Sequence, residues 1–250
     1  MSNAHHTSEQ RLPLAIDLFC GLGGWSEGLL VEGYYVVGFD IERHVYGEHR
    51  YPAQLVLQDV RTLHGRQFKD AALIVGSSPC QEFSYRAMPW KRAKALGPPV
   101  LGIELFKAQF RIQREASEAA GRHIPLIVEN VKGAQAWVGR SRWNFGSFHL
   151  WGDVPALMPM TKATKNRGGS WFNVAHNTTS GTGQNPVHEL NERGVKGWTP
   201  NGERLGANQL GRKYWSTSPQ RKAASAMIAK IPLPLARHIA AVYHPRAEAA

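Results

Sequence analysis

Five short apolar runs, each closed by small or polar residues, set the rhythm of the first half of the chain. They are Leu14 to Phe19 (broken only by Asp17), Tyr35 to Phe39, Leu55 to Leu57, Ala71 to Val75 and Ile124 to Val128. Runs this short and this continuous predict strands buried on both faces, as in a parallel sheet. Between them the spacing turns helical. Trp25 to about Val31 predicts one helix, and Gly102 to Ala120 predicts a longer crossover helix with Ile103, Phe106, Phe110 and Ile112 toward the core. Strands alternating with helices predict an α/β domain. From Gln220 to about Tyr243 an Ala-rich amphipathic helix pair, broken at Pro232 and Pro234, returns the chain to the main sheet.

The chemistry-bearing residues collect where the strands end, the edge at which open α/β sheets place ligands. After the first run come Cys20, Gly21, Leu22, Gly23 and Gly24. Strand, glycine turn and helix open a nucleotide-binding unit, with Gly21 and Gly23 letting the backbone approach a ligand at the helix N-terminus. The spacing is not that of dinucleotide enzymes, which disfavours a nicotinamide dehydrogenase. Asp40 ends the second run, where a carboxylate accepts hydrogen bonds from ribose hydroxyls or else caps a helix beginning at Ile41. Asp59 ends the third, placed to meet the exocyclic amine of an adenine or to cap a turn.

The fourth run leads into Gly76 to Ser84, GSSPCQEFS, which carries Cys80, one of two cysteines. A cysteine in isolation is commonly a small buried hydrophobe. Glu129-Asn130-Val131 follows the fifth run. A carboxylate ending an apolar strand is costly to bury unless paired or protonated, so it is either a structural ion pair or a group that shares a proton with a ligand.

Charge then narrows the partner. The chain carries 30 Lys and Arg against 19 Asp and Glu, a net +11, which favours an anionic partner, nucleic acid before an anionic membrane. Ten of the basic residues and only three acids lie in 161–222, a glycine-rich stretch with Trp171, Trp198 and Trp215. This predicts a small, loop-rich, basic recognition region, with a disordered linker as the alternative. A second basic stretch, Arg86, Lys91, Arg92 and Lys94, predicts a loop able to close over a phosphate backbone. The expected domains are a disordered leader (1–10), a catalytic domain (11–160 and 220–250) and a recognition region (161–219). No run approaches the roughly 18 apolar residues of a membrane span, and no apolar secretory core is present. Neither a disulfide framework nor zinc-type spacing is found, so a reducing, cytoplasmic setting and no metal are expected.

Taken in order, these motifs resemble those of the DNA (cytosine-5)-methyltransferases, and the resemblance runs along nearly the whole chain. DLFCGLGGW (Asp17 to Trp25) is similar to the family's S-adenosylmethionine motif, GSSPCQEFS to its Pro-Cys-Gln nucleophile motif, and Glu129-Asn130-Val131 to its Glu-Asn-Val motif. Asp40 and Asp59-Val60 stand where the family has its adenosine-binding acids. Three features depart from the pattern. Ser78 stands where the family more often has Pro, Arg140-Ser141-Arg142 follows Glu-Asn-Val by only ten residues, and Ala229-Lys230-Ile231-Pro232 replaces the C-terminal Asn-Ser motif.

The resemblance implies a Rossmann-like methyltransferase sheet with helices on both faces, and a compact member of the phage or bacterial type. It implies Cys80 as nucleophile with Glu129, Arg140 and Arg142 as further catalytic residues, an arginine lowering the thiol pKa. Cofactor binding is implied for Asp17, Phe19, Gly21, Gly23, Gly24, Asp40, Ile41, Asp59, Val60 and Pro79. Substrate contacts are implied for Asn130, Gln81, Ser84, Arg86 and Arg92. The expected cofactor is S-adenosylmethionine, leaving as S-adenosylhomocysteine. Duplex DNA is the expected partner, flipped at the target cytosine, with a cognate restriction enzyme as a further one, for a monomeric protein. The same reaction on tRNA cytosine and a non-catalytic DNA-binding protein on this scaffold are the alternatives. Cys20, in the cofactor turn, is assigned to packing.

Overall fold

A computed structural model of the chain describes residues 11–83, 97–158 and 219–245. The leader, the basic stretch 86–94 and all but the last residue of the 161–219 region lie outside the described residues. So do Ser84, Arg86 and Arg92.

The apolar runs form a seven-stranded sheet in the order β5-β2-β1-β6-β7-β9-β8. Its parallel part is β1 (Leu14–Leu18), β2 (Tyr35–Asp40), β5 (Gln54–Leu57), β6 (Ala71–Ser77) and β7 (Leu126–Asn130). β2 and β5 lie to one side of β1, while β6 and β7 lie to the other. The order therefore reverses between β1 and β6, and the carboxyl ends of those two strands frame the crevice in which such sheets bind ligands.

Alternation along the buried strands divides the core in two. Ile16, Leu18 and Ile74 face helix α2 (Val100–Ala120), which contributes Phe106, Ile112 and Ala116. Ala15, Leu73 and Val75 face α1 (Gly24–Val31) and the C-terminal helix Leu233–Tyr243, with Trp25, Leu29, Ile231, Leu235 and Ile239. A Cβ on Gly24 would come within 2.3 Å of the Ile231 backbone nitrogen, and one on Gly28 within 2.5 Å of Ala236. Two glycines one helical turn apart thus let α1 press its backbone against the returning chain. Lys230 adds an ion pair to Glu27, and Arg237 one to Glu32 at 2.7 Å.

Several expectations shift. The fifth strand is Leu126–Asn130 and not Ile124 to Val128. Pro125 has no N–H and offers only its carbonyl, which accepts from Ile74 N–H, so the regular ladder begins after it. Glu129 and Asn130 consequently occupy the strand's last two positions. No helix opens at Ile41; a small hairpin, β3 (Val45–Tyr46) and β4 (His49–Arg50), follows. Pro234 does not break a helix, because it lies in the first turn of Leu233–Tyr243, where its missing N–H costs nothing. The hairpin β8 (Trp143–Phe145) and β9 (Phe148–Gly152) was not expected, since Asn144 and His149 interrupt its apolar pattern. Among the described residues no helix is long and apolar enough to cross a membrane.

Candidate active site

The turn after β1 is held open by glycines and by one strained residue. Phe19 has φ 57°, Gly21 51° and Gly23 77°. A Cβ on Gly23 would reach within 2.4 Å of Pro52, whereas one on Gly21 would meet nothing within 4 Å. The space over Gly21 is therefore open. Gly21 N–H donates to Asp40 Oδ2 at 2.9 Å, tying the turn to the end of β2. Burial alone would raise the pKa of Asp40, but His44 and the N–H groups of Gly21 and Glu42 outweigh it and hold the carboxyl below its usual range. Asp40 is thus an ionised acceptor beside open space. Ile41 is 74% exposed on the same rim. Asp59 caps the short 3-10 turn Val60–Thr62 and pairs with Arg61 at 2.6 Å, while Val60 is buried in the α2-side core.

Beneath the turn lies a network that no sequence pattern announced. Asp17 is buried, and Ser26 Oγ donates to its Oδ2 at 2.6 Å. Tyr51 OH lies 2.7 Å from Ser26 Oγ and, that hydroxyl's proton being spent, donates to it. Burial pushes the Asp17 pKa up to about 8, and its Oδ1 has no partner. Cys20 is buried here, its thiol pKa driven upward by burial and then by the charges of Asp17 and Asp40, which suits packing and not attack. Tyr51 lies far from the turn in sequence, so only the fold could identify it as a strut.

The second half of the site is the end of β6 and β7. Ser77 pairs with Glu129 across the ladder. Glu129 is buried, and desolvation pushes its pKa up to about 8 against a hydrogen bond from Ser77. Trp25 Nε1 donates to the same Ser77 Oγ at 3.0 Å. Asn130, also buried, donates from Nδ2 to Ser78 O at 3.0 Å and to Ser78 Oγ at 3.1 Å. Its Oδ1 accepts Val131 N–H at 2.8 Å, which fixes the amide. Ser78 therefore meets Asn130 through the hydroxyl that a proline would lack. Two residues on, Cys80 is partly exposed, with Pro79 and Gln81 exposed beside it.

Burial, and then the Glu129 charge, push the Cys80 thiol up to about 11. The expected lowering by an arginine is absent, because Arg140 and Arg142 open elsewhere. Both line a groove of about 470 Å3 with Lys107, Phe110, Leu126 and Asp153, between α2 and the segment 139–142 that leads into β8. Leu126 begins β7 and Asp153 follows β9, so the groove extends toward the end of the sheet opposite Cys80. Lys230 and Ile231, in place of the Asn-Ser motif, bond Glu27 and pack on Gly24. Among the described residues no cluster of three or more His, Cys, Asp or Glu side chains is placed to hold a metal ion.

Residues 14–136 match the family model of the C-5 cytosine-specific DNA methylases. A type II methylase of Herpetosiphon aurantiacus, M.HgiDII, is 33% identical over 79 residues, covering 28% of this chain and 22% of that protein. The chain thus spans about a fifth of the length of that relative. An inferred DNA modification methyltransferase from an E. coli prophage has 26% identity over 49% of this chain and 33% of its own, with a TM-score of 0.32. The Dnmt2 methyltransferase of S. pombe has 17% identity over 52% and 38%, with a TM-score of 0.33. The stretch that resembles the C-5 cytosine-specific DNA methylases holds the glycine turn, Asp40, Cys80 and Glu129.

Proposed function

We propose that the protein transfers a methyl group to carbon 5 of cytosine in duplex DNA, with Cys80 as nucleophile and Glu129 as the proton-bearing partner of the ring. The observation that carries this reading is the pairing of a partly exposed thiol with a buried, protonated carboxyl at the ends of adjacent strands. Cytosine carbon 5 is a weak nucleophile until something adds at carbon 6. The thiolate of Cys80 does so, and Glu129, which keeps its proton at neutral pH, donates to ring nitrogen 3 and so absorbs the charge. Asn130 holds the Ser78 peptide and thereby sets where Cys80 stands.

The open turn at Phe19 to Gly24 fits S-adenosylmethionine: space over Gly21 admits the chain of the ligand, and the ionised Asp40 suits ribose hydroxyls. When bound, that cofactor supplies the electrophilic methyl group. A thiol at about 11 is almost wholly protonated in the free protein, so attack requires the proton of this partly exposed thiol to pass to water as substrate binds. Keeping Glu129 protonated removes the second of the two influences that raise that thiol. The target ring is unreachable inside a duplex, so it must be flipped, at a cost of a few kcal/mol offset by contacts to the DNA backbone.

The test is transfer of labelled methyl groups from S-adenosylmethionine to duplex DNA, with the product base identified and Cys80→Ser run beside the wild type. Thiol-dependent 5-methylcytosine is expected, with cofactor binding nearly unchanged in the variant. Full activity in Cys80→Ser would end this mechanism; transfer to tRNA but not to DNA would move the substrate.

A further inference from the structure

His149 lies on β9 directly opposite Asn130, the residue that grips the Cys80 turn. Opposed residues of an antiparallel pair share a face of the sheet, so the imidazole stands beside the Asn130 side chain at the carboxyl end of β7. The ring is buried, and its Nδ1 is 2.9 Å from Ser141 Oγ.

The bonds around Ser141 decide the tautomer. Ser141 N–H donates to Gln135 Oε1 at 3.2 Å and Gln135 Nε2 donates to Lys132 O at 3.4 Å, which fixes the amide's oxygen end. Ser141 Oγ gives its own proton to the same Oε1 at 3.2 Å. A hydroxyl has a single proton to give, so Oγ accepts from His149, and the hydrogen sits on Nδ1. Nε2 is left with a bare lone pair. It has no partner among the described residues, yet it is not among the fully buried polar atoms that lack one, so it opens to solvent.

Methylation at carbon 5 leaves one proton to be removed, and the mechanism above names no acceptor for it. We infer that His149, through Nε2, accepts the proton that leaves carbon 5 of the cytosine; this rests on the reaction proposed above. The lone pair of Nε2 takes the proton, the carbon–hydrogen electrons re-form the bond between carbons 5 and 6, and the carbon–sulfur bond breaks with its electrons returning to Cys80. Among the described residues, the ionisable groups on the surrounding elements are Lys132, Arg140 and Arg142 on either side of Ser141, and Glu129 on β7, the strand that pairs with β9. Of these, Lys132 is the one whose charge reaches the ring, Arg140 and Arg142 line the α2 groove, and Glu129 keeps its own proton and so does not take this one. Burial, then the Lys132 charge, hold the imidazole below its ordinary pKa, so it is neutral at pH 7 and ready to accept.

The test is His149→Gln with duplex DNA and S-adenosylmethionine, run on denaturing gels and with 5-deuteriocytosine substrate. Turnover is expected to fall about 10²- to 10⁴-fold, with cofactor affinity unchanged, a methylated covalent protein–DNA adduct accumulating, and a deuterium isotope effect larger than the wild type's. The acidic limb of the wild-type pH profile, where His149 gains its proton, should vanish in the variant. Ser141→Ala, which frees Nδ1 without removing the ring, should give a smaller fall with the same adduct, and stands in if His149→Gln does not fold. Turnover within threefold of wild type, or a fall with neither adduct nor isotope effect, would overturn the assignment. Wild-type protein that forms no 5-methylcytosine overturns the underlying reaction instead, and Cys80→Ser separates the two.

Discussion

The turn after β1 keeps its shape because side chains are missing from it, whereas the turn after β6 keeps its shape because side chains reach into it. At Gly23 and Gly24 the neighbouring atoms of Pro52 and Ile231 already occupy the space of a Cβ, and Gly21 leaves the cleft open. At Ser78 to Cys80 the conformation depends on Asn130, donated from another strand, and on the Ser77–Glu129 rung. The first turn is fixed by sterics and local backbone geometry, the second by buried polar bonds between distant residues. Damage should therefore appear as misfolding in one and as misplacement of a reactive group in the other.

The largest structural effect is expected at Gly24→Val. Its side chain would collide with the Ile231 backbone at the α1 contact, and overpacking of this kind costs about 1–3 kcal/mol. Thermal unfolding should show a fall of several degrees together with loss of cofactor binding. An unshifted midpoint would break the steric account of that turn.

Glu129→Gln should leave folding intact and lower turnover by about 10²-fold or more, since an amide cannot hand over a proton. It also tests a pH slope. Glu129 and Asp17 have native pKa values of about 8, above those of the unfolded chain. Such groups bind protons more tightly in the folded state, so their stabilisation is complete below about pH 4. It is lost as pH rises toward 8. Stability should therefore decline across that window, and Glu129→Gln and Asp17→Asn should each flatten the decline. Equal slopes in wild type and both variants, measured by denaturant unfolding, would contradict the burial argument.

Asn130→Ala should cost about 1–3 kcal/mol by leaving the Ser78 carbonyl without its donor, and should lower turnover more than it weakens cofactor binding. Ser78→Ala removes only the hydroxyl and keeps the carbonyl bond, so a loss of about 0.5–1.5 kcal/mol is expected with activity largely retained. If Ser78→Ala proved the more harmful of the two, the Asn130 anchor would not be what positions Cys80.

The stretch that the family model matches includes strand-end residues that a single reading of the chain already exposes. Gly21, Gly23, Asp40, Cys80 and Glu129 are legible because each follows an apolar run, and a run that ends in a parallel sheet can end only at the ligand edge. The Arg140 and Arg142 expectation shows the limit of that logic. The resemblance of Arg140-Ser141-Arg142 to the family's Arg-x-Arg motif suggested a place beside the thiol in spite of its short spacing, while the path of residues 139–142 into β8 turns both toward the α2 groove.

What the sequence determined by itself was the parallel sheet, the helices that cover it and the list of reactive groups at its edge, since burial on both faces and glycine turns are local, periodic signals. The tertiary structure alone decided which groups meet: Tyr51 with Ser26 and Asp17, Asn130 with Ser78, His149 with Ser141. It alone decided which of them keep their protons, because a pKa follows from desolvation and from partners many residues away, and neither is written in the spacing of the chain.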